Sequence, residues 1–159
     1  MKITKAQLDE GNFYVGTEFD AEFEGGVQID PGLGWVRFRG NLFVGGSIVA
    51  GKGTGIKAGR SIQAGGGIEA GGGIQARWGI EAGEGIEAGL SICCKGLSAK
   101  LRIFAGLCIW RIPTPEEQEI VCELLESGTI CYGTLKLAER PHAPKGSPEV
   151  VSPTPKEDS

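Results

Sequence analysis

The feature that most constrains this chain is an isoleucine every six residues, from Ile56 through Ile62, Ile68, Ile74, Ile80 and Ile86 to Ile92. Two positions after each comes a small residue: Ala58, Ala64, Ala70, Ala76, Ala82, Ala88 and finally Cys94. Glycine or serine precedes each isoleucine. In an extended strand, residues i and i+2 share a face, so isoleucine and alanine point into a core and the residue between them points out. Those outward residues are Lys57, Gln63, Glu69, Gln75, Glu81 and Glu87. The glycines between units read as turns, because glycine bends the chain at little steric cost. A helix does not fit, since six is no multiple of 3.6 and a glycine in each turn costs about 1 kcal/mol.

One such unit cannot bury its own isoleucine, whereas coils stacked about 4.8 Å apart can. The expected fold is all-β: a single-stranded β-helix, or β-solenoid, of hexapeptide-type repeats. Three units per coil would give a triangular prism of roughly four coils, the preferred form; two would give a flatter solenoid. The period extends upstream through Val36, Leu42 and Ile48 and downstream through Leu97, Ile103 and Ile109. It slips where Gly53-Thr54 adds two residues and where one residue is missing between Ile92 and Leu97.

Four segments follow. Residues 1–35 read as an N-terminal cap with an acidic strand, 36–112 as the solenoid, 113–140 as a C-terminal capping helix and strand, and 141–159 as a disordered Pro-rich tail. Thr114-Pro115-Glu116-Glu117 has the form of a capping box that starts the helix. Ile120, Val121, Leu124 and Leu125 give the helix an apolar stripe, and Gly128 ends it. Thr4 to Gln7 resembles a second, weaker capping box. Phe19, Ala21 and Phe23 alternate with acids, Val36 and Phe38 with arginines, and pairing of these two stretches would set acids against Arg37 and Arg39. Trp35 and Trp110 are expected to cover the two ends of the core.

Composition excludes several classes. The chain has 28 glycines in 159 residues, well above the usual 7% or so, but lacks the every-third-residue period of collagen. Calcium-binding nonapeptide solenoids need recurring aspartates, and no Asp lies between Asp30 and Asp158. The glycine runs lack the P-loop lysine and its strand-loop-helix setting. Five cysteines, an odd number, make no complete disulfide framework, and their spacing is not that of a zinc site. No metal and no cofactor is expected. No run is long and apolar enough to cross a bilayer, and no leader-like stretch follows Met1, so the expected compartment is a bacterial cytoplasm. The net charge of −4 is too small to name a partner, and the sequence lacks the basic footprint of a nucleic-acid binder. Hexapeptide acyltransferases use a histidine between coils as base; the single histidine, His142, falls in the tail. Catalytic residues are therefore not expected.

The run Ser61-Ile62-Gln63-Ala64-Gly65-Gly66-Gly67-Ile68-Glu69-Ala70 and the segment Phe104-Ala105-Gly106-Leu107-Cys108-Ile109-Trp110 resemble those of small bacterial and phage proteins with tandem G-S-I-x-A-G units. The acidic stretch after Thr114 and the Tyr132-Gly133 pair extend the resemblance to roughly residues 40–137. It implies a β-solenoid of mobile-element origin and brings no activity and no catalytic residue with it.

Three functions follow as expectations. The first, and leading, one is a non-enzymatic protein-binding solenoid, an inhibitor or adaptor acting on a host protein. The second is a structural component that self-assembles as a homo-oligomer. The third, disfavoured by the missing histidine between coils, is a hexapeptide-type acyltransferase. Irregularities in an otherwise uniform surface are where recognition can be specific. These are Arg77-Trp78, which replace the Gly-Gly of neighbouring units, and the acidic strand with Glu18, Asp20, Glu22 and Glu24.

Overall fold

The computed structural model describes residues 1–138. The tail call at 141–159, with His142, lies outside them. Seventeen strands, numbered in chain order, form three parallel ladders that are the faces of a triangular β-solenoid. Face B carries β2 (Ala21–Phe23), β5 (Leu42–Val44), β8 (Ile62–Ala64) and β11 (Gly79–Ala82). Face A carries β1 (Lys2–Ile3), β3 (Val27–Ile29), β6 (Ile48–Ala50), β9 (Ile68–Ala70) and β12 (Ile86–Ala88). The long strands β14 (Gly96–Ala105) and β16 (Leu124–Tyr132) run round the corner from B to A and join both ladders. Face C is a six-stranded sheet of β4 (Gly34–Phe38), β7 (Thr54–Ala58), β10 (Ile74–Ala76), β13 (Ile92–Cys93), β15 (Glu119–Cys122) and β17 (Thr134–Leu137).

The chain visits B, A and C in turn, so each coil consumes three repeats and Ile56 stacks on Ile74, which stacks on Ile92. Every isoleucine from Ile56 to Ile92 is at most 1% exposed, and the alanines two positions on are buried beside them. Ile109, expected to continue the period, lies instead between β14 and β15 and is 96% exposed, because the chain leaves the coil after Ala105. About four coils are regular. The ladders continue past the repeat at both ends, through β2–β4 and β15–β17.

The glycines at these corners work differently from the sequence expectation. None between Gly55 and Gly96 has a positive φ. What they supply is the missing Cβ. A methyl group on Gly65 would run into the Gly45 carbonyl oxygen beneath it, one on Gly83 into that of Gly65, and one on Gly89 into that of Gly71. Corner N–H groups bond the coil below, as in Gly65 N to Val44 O (2.9 Å) and Gly83 N to Ala64 O (2.9 Å). Side chains at these positions would hold the coils too far apart for those bonds. The inserted Gly53-Thr54 is absorbed at the A–C corner. There the buried Thr54 hydroxyl donates to Asp30 O (2.7 Å) and accepts from Leu33 N (3.0 Å).

The C-terminal helix is corrected. Pro115–Gln118 form one 3-10 turn, with the Thr114/Glu117 capping box in place. Ile120 and Val121 then lie in β15, and Leu124, Leu125 and Gly128 lie in β16. A stripe that suits a helix also suits strands of a final coil, and pairing to β13 and β14 already buries Ile120 and Cys122. The Thr4/Gln7 box likewise starts only a 3-10 turn, Lys5–Gln7. The acid-to-arginine pairing does not form, because β2 pairs β5 on face B and β4 pairs β7 on face C. Arg39 instead meets Asp9 at 3.1 Å.

Candidate functional site

The irregular unit Ala76-Arg77-Trp78 turns the corner from face C to face B. Its neighbours turn with glycine directly after alanine. Gly59 N donates to Phe38 O there (2.9 Å), and no matching bond links Arg77 N to Ala58 O. Trp78 N donates instead to Arg60 O (3.1 Å), and Lys95 N to Trp78 O (2.7 Å). Those bonds belong to a column that climbs the corner through Phe19, Gly40, Arg60, Trp78, Lys95 and Glu123, each N–H donating to the carbonyl of the residue before it in the column. The backbone of Trp78 is thus fixed from both sides, while its ring stays 47% exposed.

From Phe19 to Lys95, with Gly40 as a gap, the side chains of this column alternate between aromatic and cationic, and the acidic Glu123 follows. The Arg60 guanidinium lies 4.9 Å from the Phe19 ring centre, and the Lys95 ammonium 4.4 Å from that of Trp78. Arg77 flanks Trp78 at 5.9 Å. Gly40, between Phe19 and Arg60, leaves the gap that Arg60 reaches across; a Cβ there would sit 2.6 Å from the Phe19 ring. Cations over ring faces hold the rings at about 0.5–1 kcal/mol per exposed contact.

Face C, beside this corner, is the basic side of a molecule with net charge −4. Its outward row reads Arg37, Lys57, Gln75 and Cys93 from coil to coil. Face B reads Glu22, Phe43, Gln63 and Glu81; face A reads Gln28, Val49, Glu69 and Glu87. The other edge of face C holds the remaining tryptophans. Trp35 lies across Gly55 and Gly73, where a Cβ would come within 3.0 and 2.9 Å of its ring. Trp110, on the excursion between β14 and β15, donates from Nε1 to Gly71 O at 3.3 Å. Both lie along the side of the prism and not over its ends, a correction to the sequence expectation. All three tryptophans therefore border one basic face. Within it, Arg37 and Arg39 lie over the Phe13 ring at 5.7 and 4.3 Å, and the buried Arg37 Nε has no hydrogen-bond partner.

The acidic strand divides. Glu18 is exposed beside Phe19, at the foot of the Trp78 column, three coil steps or about 14 Å away. Asp20 is engaged within the fold: its Oδ1 accepts from Asn41 N (2.7 Å) and Asn41 Nδ2 (3.2 Å). Glu22 faces outward on B, and Glu24 begins the B–A corner. The two predicted patches thus share an edge without forming one site. Phe19, Arg60 and Lys95 escaped the sequence reading. Arg60, Trp78 and Lys95 recur one coil apart, a spacing that becomes a signal only once three units per coil are established.

Faces A and B differ in how they stack their outward polar groups. On B, Gln63 Nε2 donates to Glu81 Oε1 at 2.6 Å. On A, Glu69 and Glu87 are stacked carboxyls; the hydrogen bond that a protonated Glu87 donates to Glu69, burial and the repulsion between the two all push the Glu87 carboxyl above its ordinary range. In the excursion, Arg111 grips Glu117 with two bonds of 2.8 and 2.7 Å. With the Thr114 N–H, it draws that carboxyl down to about 2. Cys94 and Cys122 point inward on face C, and burial pushes both thiols up, Cys122 to about 11. Among the described residues, no three or more His, Cys, Asp and Glu side chains gather as a metal site would require, and no helix is long and apolar enough to cross a membrane. Comparison of the chain with known protein families, curated proteins and solved structures finds no match.

Proposed function

We propose that this β-solenoid is a non-enzymatic protein-binding module that engages its partner through face C and the Arg77–Trp78 corner. The observation that carries the reading is the half-exposed Trp78 ring, fixed at its backbone and flanked by Arg77 and Lys95. A rigid aromatic anchor buries a large area at low entropic cost, and Trp and Arg are the residues most enriched at binding hot spots. The excess of cations on face C favours an acidic patch on the partner and speeds encounter with it. The resemblance to phage and bacterial repeat proteins supports a mobile-element inhibitor or adaptor that meets a host protein in the bacterial cytoplasm.

The test is affinity capture from bacterial lysate, read by mass spectrometry, followed by titration of the captured protein. Arg77→Ala with Trp78→Ala is expected to weaken binding by about 2 kcal/mol or more, with circular dichroism unchanged. Unchanged affinity in the folded variant removes this corner from the recognition surface.

A further inference from the structure

The two ends of the prism are finished differently. At the N-terminal end, β1 extends face A, residues 12–14 bond the edge of β4, and Tyr14 packs on Phe23 and Phe38. Ile3 and Tyr14 are 0% and 8% exposed, so the first coil is closed. At the other end, among the described residues, β16 pairs only with β14 and β17 only with β15, which leaves a strand edge without a described partner on all three sides. The inward residues of this last coil are uncovered: Leu135 and Leu137 are 38% and 59% exposed, and Leu125 and Ile130 are half-buried. Leu124 and Tyr132 add an apolar rim.

Nothing in the remaining sequence has the pattern of a further coil. Residues 139–159 contain no Ile, Leu, Phe or Met, and their five prolines cannot donate to a ladder. A face made of three strand edges around an apolar centre is matched in outline by another coil of the same kind. Turning a second copy through a two-fold axis perpendicular to the prism sets each terminal strand antiparallel to the one it meets. Edges then pair with edges and leucines with leucines, and the contact is isologous and self-complementary. The closed N-terminal end prevents the contact from repeating head to tail.

We infer that the protein forms a closed, tail-to-tail dimer through its last coil, with β16, β17, Leu135 and Leu137 at the interface. This surface takes in β17, the last strand of face C, but uses its free edge and inward leucines, not the outward row of that face or the Arg77–Trp78 corner. The dimer therefore stands or falls independently of the partner-binding proposal, and it leaves two copies of the outward row exposed.

The experiment is size-exclusion chromatography with light scattering on the full chain over a dilution series. The wild type is expected at twice its 16.6 kDa chain mass. Leu135→Glu with Leu137→Glu is expected to give monomer, or at least a tenfold higher dissociation constant, with circular dichroism retained. Leu124→Glu with Tyr132→Glu, on the rim, is a second variant in case the first misfolds; it too should shift the equilibrium towards monomer. Arg77→Ala with Trp78→Ala should leave the dimer intact. A wild type that stays monomeric at every concentration overturns the inference, as does a dimer that persists in the folded end-coil variants or is lost in the corner variant.

Discussion

Alanine in place of glycine separates two reasons a corner might need glycine. Gly25 and Gly83 both lie at the B–A corner, and neither has a positive φ. The substitution adds the same methyl group and restricts the unfolded chain equally. That restriction alone stabilises by about 0.4–1 kcal/mol. At Gly25 the new Cβ meets nothing within 4 Å, so this gain stands. At Gly83 it runs into the Gly65 carbonyl oxygen, which is backbone and cannot swing aside. Separating the coils there costs about 1–3 kcal/mol as overpacking. It also weakens two corner bonds, Gly83 N to Ala64 O (2.9 Å) and Glu84 N to Gly66 O (3.3 Å), at about 1 kcal/mol each. The net expectation is a loss of about 2–4 kcal/mol for Gly83→Ala. For a chain of this length that lowers Tm by roughly 10 °C, while Gly25→Ala rises by a degree or two. Thermal denaturation followed by circular dichroism measures both. Equal melting temperatures would refute the claim that the repeat glycines are needed for close coil stacking.

Three further outcomes are expected. Ile74→Asn buries an amide between Ile56 and Ile92, where no polar partner stands; urea unfolding should show a loss of several kcal/mol. Glu87→Gln should stabilise the protein at neutral pH by about 0.2–1 kcal/mol, since it replaces two stacked carboxyls with the amide–carboxylate pair seen on face B. Because the folded Glu87 carboxyl is raised, its favourable contribution is complete below the unfolded pKa and lost as pH rises through the folded value. The wild type should therefore lose stability over that window, and the variant should not. In thiol labelling of the native protein read by mass spectrometry, exposed Cys131 should react first. Cys94 and Cys122, buried and with raised thiol pKa values, should label only on unfolding.

The solenoid was legible because its signal is local and repeated: isoleucine and alanine two residues apart must share a face in any strand, whatever surrounds them. The slip at Gly53-Thr54 was legible for the same reason. The stretch from Ile120 to Leu125 was misread because a short apolar run fits helix and strand alike, and only the waiting edges of β13 and β14 decide between them. Arg77 and Trp78 stood out as breaks in the pattern, but their companions Phe19, Arg60 and Lys95 did not.

From the sequence alone it followed that the chain coils on a six-residue unit with an isoleucine and alanine core. How many units close a coil was a matter for the tertiary structure, and that number controls everything on the surface. With three per coil, residues six apart fall on different faces and residues one coil apart become neighbours. Lys57 then joins Arg37 on a basic face, Glu69 meets Glu87, and Gln63 meets Glu81. The physical reason is that inward positions are chosen by burial, which asks only that each unit turn its isoleucine and alanine towards a shared core, whatever the number of units per coil. Outward positions gain their meaning from neighbours about 4.8 Å away across the ladder, and those neighbours are assigned by the closure of the coil.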